Sequence, residues 1–402
     1  MASNSTAEYL NNALKVLPIH IELLSPHRDA QIIEIVTTLC PFFTSTSKDN
    51  YSIQPLNGGL SNDLFVVSQS SDTAARQDYA LVRIHPTGDS VQVVDRQVDN
   101  LLSAWLSEQN MAPIFYGRFQ NGRVEEFYPN VRPLSCHEMK ETVYATQIAT
   151  CLAQFHKLAL PTSILEKPKT IDKNGSSLSC TGNHFDTISN WFTLALSPPQ
   201  EERNDADQAF LDMVHTEWNW LQLQLQEMPP TQTPLELQAL TFLRETVFCH
   251  MDCQSLNIMK DNNFNNTTNN LKLIDFEYAG WNPRAMDLAN TFCEHCDMNN
   301  LCANYEQEYP SKETQTTFLT AYLQHAHPKL AQQLDTNNQW ESVLEVLSKE
   351  IGRFTLMSHL GWTVWSILKS KDQGSGIDFD YLEYARHRMQ GYRLCKSWFI
   401  PN

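Results

Sequence analysis

No apolar run in these 402 residues approaches the roughly 20 needed to cross a bilayer, which excludes a helical membrane protein as the first reading. Positive charge is scarce too. Only 29 lysines and arginines stand against 46 aspartates and glutamates, a formal net charge of −17. Phosphate backbones reward basic surfaces, so no nucleic-acid partner is expected. The opening stretch, MASNSTAEYLNNALKVLPIH, lacks the basic start and apolar segment of a secretory leader, and a cytoplasmic address is expected. Cysteine pairing is missing as well. Ten cysteines are scattered along the chain, so free thiols are expected rather than disulfides. The cluster FCEHCDMNNLC holds Cys293, His295, Cys296 and Cys302, but a structural zinc site usually has two well-separated ligand pairs. Cys293 and Cys296 instead share one face of a helical segment, as core residues do. No internal repeat is evident.

What is present is an ordinary globular composition, 42% hydrophobic and 19% charged, long enough for two domains or two lobes. Residues 1–45 have apolar positions at helical spacing, as in DAQIIEIVTTL, and form an extension that either caps the small lobe or makes a subunit contact in a homodimer. Residues 46–130 are strand-like. YSIQPLNGGLSNDLFVVSQ reads as two strands about a Gly-Gly turn, and DYALVRIH as a third. DSVQVVDRQVDNLLSAWLSEQ reads as a helix from its Asp-Ser start, and APIFYGRFQNGRVEEFYP as a hairpin turning at Asn121-Gly122. Residues 131–402 are mostly helical. EMKETVYATQIATCLAQFHKL reads there as one long helix.

Two segments carry chemistry. FCHMDCQSLNIM places His250, Asp252 and Asn257 at the spacing H-x-D-x-x-x-x-N. LKLIDFEYAG comes next, with Asp275 ending an apolar run, and the Asn-rich connector between them reads as a long hairpin loop. Phosphoryl transfer from ATP needs a cover for the phosphates, magnesium ions and an acceptor in line. Magnesium prefers hard oxygen ligands, which Asn257 and Asp275 offer once a hairpin sets them side by side. Asp252 can accept a hydrogen bond from the acceptor hydroxyl, and His250 is expected to brace the loop. The pair parallels the protein-kinase motifs H-R-D-x-x-x-x-N and D-F-G, but Met251 and Glu277 replace the arginine and the glycine. A small-molecule kinase fits better than a protein kinase.

The earlier strands hold matching parts. Asn57–Asn62 reads either as a plain turn or as a loop folding over phosphates through backbone N–H groups. Arg83 ends a strand where protein kinases carry a phosphate-binding lysine, and Asp99 lies on the next helix where its carboxylate partner is expected. The backbone of Glu125–Pro129 is placed to meet adenine, or else forms an edge strand. Near the C-terminus, Trp362 and Trp365 share a helix face, with Phe379, Tyr381 and Tyr384 close behind. Such a stripe is either core or an aromatic box for an ammonium group.

These segments resemble the choline/ethanolamine kinases. FCHMDCQSLNIM is similar to the family's phosphotransfer loop, and LIDFEYAGWNPRAMDLANTFCE to its magnesium segment. SHLGWTVWSILKS resembles its W-x-x-W helix and IDFDYLEYA the stretch after it, while GGLSN, LVRIHP, VVDRQVD and GRVEEFYP fall in the family's order. The likeness runs from about Tyr51 to Tyr392. It implies an α+β, protein-kinase-like bilobal fold and phosphorylation of an amino alcohol by ATP with Mg2+. It further implies Asp252 as catalytic aspartate and Asn257 and Asp275 as metal ligands. ATP would be held by Gly58, Gly59, Leu60, Ser61, Asn62, Arg83, Asp99, the backbone of Glu126, Phe127 and Tyr128, Gln254 and Asp275. Tyr278, Trp362, Trp365, Phe379 and Tyr384 would surround the cationic head.

Three departures stand out. Met251 replaces the family's usual asparagine, Asp99 its usual glutamate, and the stretch about Asn299 lacks the tyrosines that help line the choline pocket. VVDRQVD and IDFDYLEYA look closer to the ethanolamine branch and GRVEEFYP to the choline branch; the balance leans to ethanolamine. The alternatives are a related kinase for another small-molecule acceptor and a catalytically dead binding protein.

Overall fold

Alternating apolar residues in Asp63–Gln69 and Asp78–Ile84 bury one face of each strand, and this pattern builds the smaller part of the protein. The computed structural model describes residues 11–45, 47–56, 62–69, 78–85, 93–161, 170–171, 177–178, 184–197, 205–262, 271–298, 301, 303–371 and 379–400. The chain folds as two compact units, a smaller one drawn chiefly from residues up to Val131 and a larger one from Arg132 onward.

The smaller unit holds a six-stranded sheet in the order β1-β5-β6-β4-β3-β2. The strands are β1 (Val16–Leu17), β2 (Tyr51–Leu56), β3 (Asp63–Gln69), β4 (Asp78–Ile84), β5 (Phe115–Phe119) and β6 (Gly122–Glu126). Within residues 1–45, residues 11–14 are helical and a longer helix follows as α1 (Arg28–Leu39), while Val16–Leu17 joins the sheet parallel to β5, a strand that helical spacing did not reveal. Ile32, Ile35 and Val36 of α1 share one core with Val67, Ala80, Val82, Phe119 and Val124 of the sheet. Each such fully buried aliphatic side chain contributes roughly 1.5–3 kcal/mol.

The helix α2 spans Arg96–Glu108. It starts later than the Asp-Ser signal implies, because Val93–Asp95 are not helical. The hairpin between β5 and β6 also differs from expectation. Phe119 pairs with Gly122, so the loop is Gln120-Asn121 and Gly122 is already in the strand. Asn121 uses its carboxamide to clasp Ile21, accepting from its N–H at 3.0 Å and donating to its carbonyl at 2.9 Å. Gly122 is needed for proximity: a Cβ there would lie 2.2 Å from the Arg83 carbonyl and 2.2 Å from the Phe119 ring.

The larger unit is mainly helical. The expected long helix after Pro133 is two, a short turn at Cys136–Met139 and α3 (Thr142–Phe155). Ser135 and Glu138 close a capping box on the first, so its start is fixed independently of the second. Then come α4 (His184–Leu196), α5 (Asp205–Gln226) and α6 (Pro234–Arg244). A capping box of Thr233 and Glu236, with Pro234 in the first turn, starts α6. Two hairpin-like pairings come after it. Strand β7 (Thr246–Cys249) runs antiparallel to β10 (Gly280–Pro283), and β8 (Ile258–Asp261) to β9 (Leu271–Leu273). Residues 263–270 of the Asn-rich connector lie outside the described residues. The helices that carry the rest of the site are α7 (Arg284–Cys293), the 30-residue α8 (Trp340–Lys369) and α9 (Tyr381–Phe399). The eight described cysteines, Cys293 and Cys296 among them, are free thiols, and Cys302 lies outside the described residues.

Candidate active site

The pairing of β8 with β9 decides the centre of the site. Ile258 lies opposite Leu273, and the Ile274 N–H donates to the Asn257 carbonyl at 3.0 Å. Asn257 and Asp275 are therefore neighbours across the end of a ladder, as the spacing predicts. Asn257 donates its amide to the Asp252 carboxylate at 2.7 Å and to the Asp252 carbonyl at 2.9 Å. That commitment of nitrogen leaves the carboxamide oxygen as the acceptor end of the side chain. Gln254 leans on both Asp252 oxygens at 3.4 Å.

Both acidic segments pass through unusual backbone. Met251 has φ 67° and Asp275 φ 65°. Left-handed conformations at non-glycine residues cost about 1–2 kcal/mol and cluster where surrounding structure enforces them. Asparagine tolerates that region better than methionine does, so the departure at 251 falls where it adds strain.

At Met251, Asp287 does the enforcing. Its carboxylate is fully buried and accepts from the backbone N–H groups of His250 and Met251, each at 2.8 Å, and meets Nε2 of His156 at 2.9 Å. Burial opposes its ionisation, but the His156 contact and neighbouring imidazoles hold its carboxyl below the usual range. His250 acts as the brace expected of it: Nε2 meets the Ile274 carbonyl at 3.1 Å and Nδ1 accepts from the Asp252 N–H at 3.2 Å. One imidazole thus ties the Asp252 loop to the Asp275 segment. Burial lowers the pKa of that imidazole.

Burial pushes the Asp252 carboxyl well above the ordinary range, and the carboxylates of Glu294, Asp275 and Glu277 add to the rise. A set of carboxylates that repel one another, with the Asn257 carboxamide beside one of them, suits a divalent cation.

The aromatic residues form one chain of ring contacts. Tyr278 meets Trp362 edge-on at 5.2 Å, Trp362 meets Trp365 at 5.5 Å, and Phe379 meets Tyr384 at 5.5 Å. The Trp365 indole donates to the Tyr278 hydroxyl at 2.9 Å, and the Trp362 indole to Oδ1 of Asn290 at 2.9 Å. Trp362, Tyr278 and Phe379 are half-buried, whereas Trp365 and Tyr384 are buried behind them. Two charged residues that sequence reasoning missed belong here. Arg388, on α9, donates to the Tyr384 hydroxyl at 2.9 Å and to Glu294 at 2.7 Å. The i, i+4 spacing of Tyr384 and Arg388 on a helix was the available signal.

In the smaller unit, Arg83 and Asp99 do not form the direct pair expected of them. Arg83 and Arg123 are cross-strand partners on β4 and β6, and two facing guanidiniums need a carboxylate between them. Glu125, two residues along β6 and hence on the same face, accepts from Arg83 at 3.1 Å and from Arg123 at 2.9 Å. Asp99 then pairs with Arg123 at 2.8 Å. All four side chains are nearly buried. Burial alone would raise the Asp99 carboxyl, but Arg123 and then Arg96 outweigh it and bring it to about 2. The R-x-E pattern at strand period was the missed signal. Glu126 gives its N–H to the Ile114 carbonyl at 2.8 Å. Among the expected nucleotide residues, Asn62 meets His85 at 2.8 Å, while Gly58, Gly59, Leu60 and Ser61 lie outside the described residues, as does Asn299.

A carboxylate on a braced loop, a carboxamide beside it and an acidic residue across a ladder end are the parts that kinase-like phosphoryl transfer calls for. The chain belongs to the choline/ethanolamine kinase family, whose model matches residues 53–393. A human choline/ethanolamine kinase is 31% identical over 366 residues, covering 85% of this chain and 79% of that protein. "Probable ethanolamine kinase A" of Dictyostelium discoideum is 29% identical over 371 residues, 92% of each chain. Among solved structures, choline kinase from Cryptosporidium parvum superposes with a TM-score of 0.67 at 24% identity, covering 92% of this chain and 95% of that one. An ethanolamine kinase from Plasmodium vivax gives a TM-score of 0.67 at 21% identity, covering 99% and 97%. The fold is the protein-kinase-like one, and no helix among the described residues is long and apolar enough to cross a membrane.

Proposed function

We propose that this chain transfers a phosphoryl group from ATP to the hydroxyl of ethanolamine or choline, the entry step to the corresponding phospholipids, with Mg2+ as the metal. The observation that carries the reading is the joining of Asp252, Asn257 and Asp275 by the ladder end and the His250 brace, with an aromatic chain in the same unit. Asn257 and Asp275 would hold the metal, which would offset the charge of the phosphates. Asp252 orients the acceptor hydroxyl and takes its proton. Arg83, held by Glu125, and the loop ending at Asn62 would serve the nucleotide, together with Gln254 and the backbone of Glu126–Tyr128. Tyr278, Trp362, Trp365, Phe379 and Tyr384 would surround the ammonium head, the half-buried Tyr278, Trp362 and Phe379 in front and Trp365 and Tyr384 behind them, each favourable π contact being worth roughly 0.5–2 kcal/mol. The lean to ethanolamine rests on sequence alone, and a homodimer built on residues 1–45 belongs to the same reading.

The test is release of ADP by the purified full chain with Mg-ATP across a panel of choline, ethanolamine, aminoglycosides and simple sugars. Turnover confined to the amino alcohols is the expected result. Turnover of another class alone favours the rival kinase, and none at all a dead binding protein.

A further inference from the structure

Among the described residues, Arg388 is the cation set within the aromatic chain, and the proposed reaction gives it no task. Its side chain is 1% exposed. Nη2 donates to Glu294 at 2.7 Å, Nε to the Tyr384 hydroxyl at 2.9 Å, and Nη1 has no partner among the described residues. The guanidinium carbon lies 5.3 Å from the Tyr384 ring centre and 5.9 Å from that of Trp362. A buried cation thus touches two rings that the proposed function assigns to a cationic substrate. It also holds one oxygen of Glu294, a buried carboxylate whose charge reaches Asp252.

We infer that Arg388 is a positioning residue that sets the selectivity of the amine pocket by engaging Glu294, so that the substrate head is read by aromatic faces more than by a free carboxylate. The inference rests on the amino-alcohol reading. Its chemistry is simple. A quaternary ammonium has no N–H and gains from π faces, whereas a primary ammonium gains most from a carboxylate that accepts its hydrogen bonds. With Arg388 in place, Glu294 offers the head only part of its charge and one committed oxygen. Without Arg388 that oxygen is released toward any N–H donor. With Arg388 but no Glu294 carboxylate, an unpaired guanidinium remains among the rings and repels every cationic substrate. The pair is therefore reciprocal: each member masks the charge of the other.

The test measures kcat and KM for choline and for ethanolamine in the full chain and in Arg388→Met, Glu294→Gln and the double variant, with thermal melting alongside. Arg388→Met is expected to shift the choline-to-ethanolamine ratio of kcat/KM toward ethanolamine by about 10-fold, the worth of one charge-assisted hydrogen bond, through KM and not kcat. Glu294→Gln is expected to lower kcat/KM for both amines by about 10-fold or more. The double variant should regain choline turnover to within about 3-fold of the unaltered chain and lose the ratio shift. A folded Arg388→Met with an unchanged ratio overturns the inference, as does a double variant no better than Glu294→Gln. If Arg388→Met does not fold, the comparison of the double variant with Glu294→Gln decides alone. An unaltered chain that turns over neither amine removes the functional reading instead, before any variant is compared.

Discussion

At the scale of single residues, the sequence pointed to the side chains proposed to touch the chemistry and not to those that hold other side chains. The H-x-D-x-x-x-x-N spacing and the later Asp275 identify groups that the fold brings together, because a short antiparallel ladder leaves few ways to join the two segments. The role of Asp287 carries no sequence signal, since no local pattern says that a helix residue accepts the N–H groups of a loop 36 and 37 residues earlier. Asp287→Asn sets an amide donor against one of those N–H groups. We expect kcat to fall about 10–100-fold and stability by about 2 kcal/mol, with the amine KM nearly unchanged; steady-state kinetics and thermal melting check this. A collapse of KM with kcat preserved would contradict the positioning role. The tryptophans differ in kind. Trp362 is half-buried and meets Tyr278 in a T-shaped contact, whereas Trp365 is buried and holds Tyr278 through its indole N–H. Trp362→Ala is expected to raise the KM for choline about 10-fold and that for ethanolamine about 3-fold, measured on one preparation, because a quaternary head depends most on the ring.

At the scale of elements, hydrophobic periodicity located most helices and strands to within a few residues, and it erred where side-chain chemistry sets the boundary. Asn121 is drawn to Ile21, so the β5–β6 loop sits one residue before the Asn-Gly pair. Ser135 and Glu138 cap a separate turn, so one long helix becomes two. Strand β1 is two residues long and has no alternation to read. The four-membered chain Asp99–Arg123–Glu125–Arg83 replaces the two-residue pair, and it makes the smaller unit sensitive to acid. The Asp99 carboxyl is held at about 2 in the fold against 3.8 when unperturbed, a depressed value. Its contribution of about 2 kcal/mol is therefore complete above pH ~4 and is lost as the pH falls toward the folded value. Urea melts of the full chain between neutral pH and pH ~3 should show this loss, and Asp99→Asn should flatten the acid limb. An acid limb of undiminished slope in the variant would assign the sensitivity to other groups.

At the scale of the whole molecule, the low positive charge and the lack of long apolar runs narrowed the protein class before any motif was read. The order of motifs from Tyr51 to Tyr392 anticipated the family match over residues 53–393. The choice between amines was not legible, because the inferred selectivity rests on how a buried arginine meets Glu294, Tyr384 and Trp362, residues far apart in sequence. The account stands on Asp252 and Asp275 acting in one phosphoryl transfer. The most direct measurement is formation of the phosphorylated amine from Mg-ATP by the full chain and by Asp252→Ala and Asp275→Ala, each checked by thermal melting. The account predicts a loss of about 1,000-fold or more in either variant with melting little changed. Either variant retaining most of its activity while folded would contradict it.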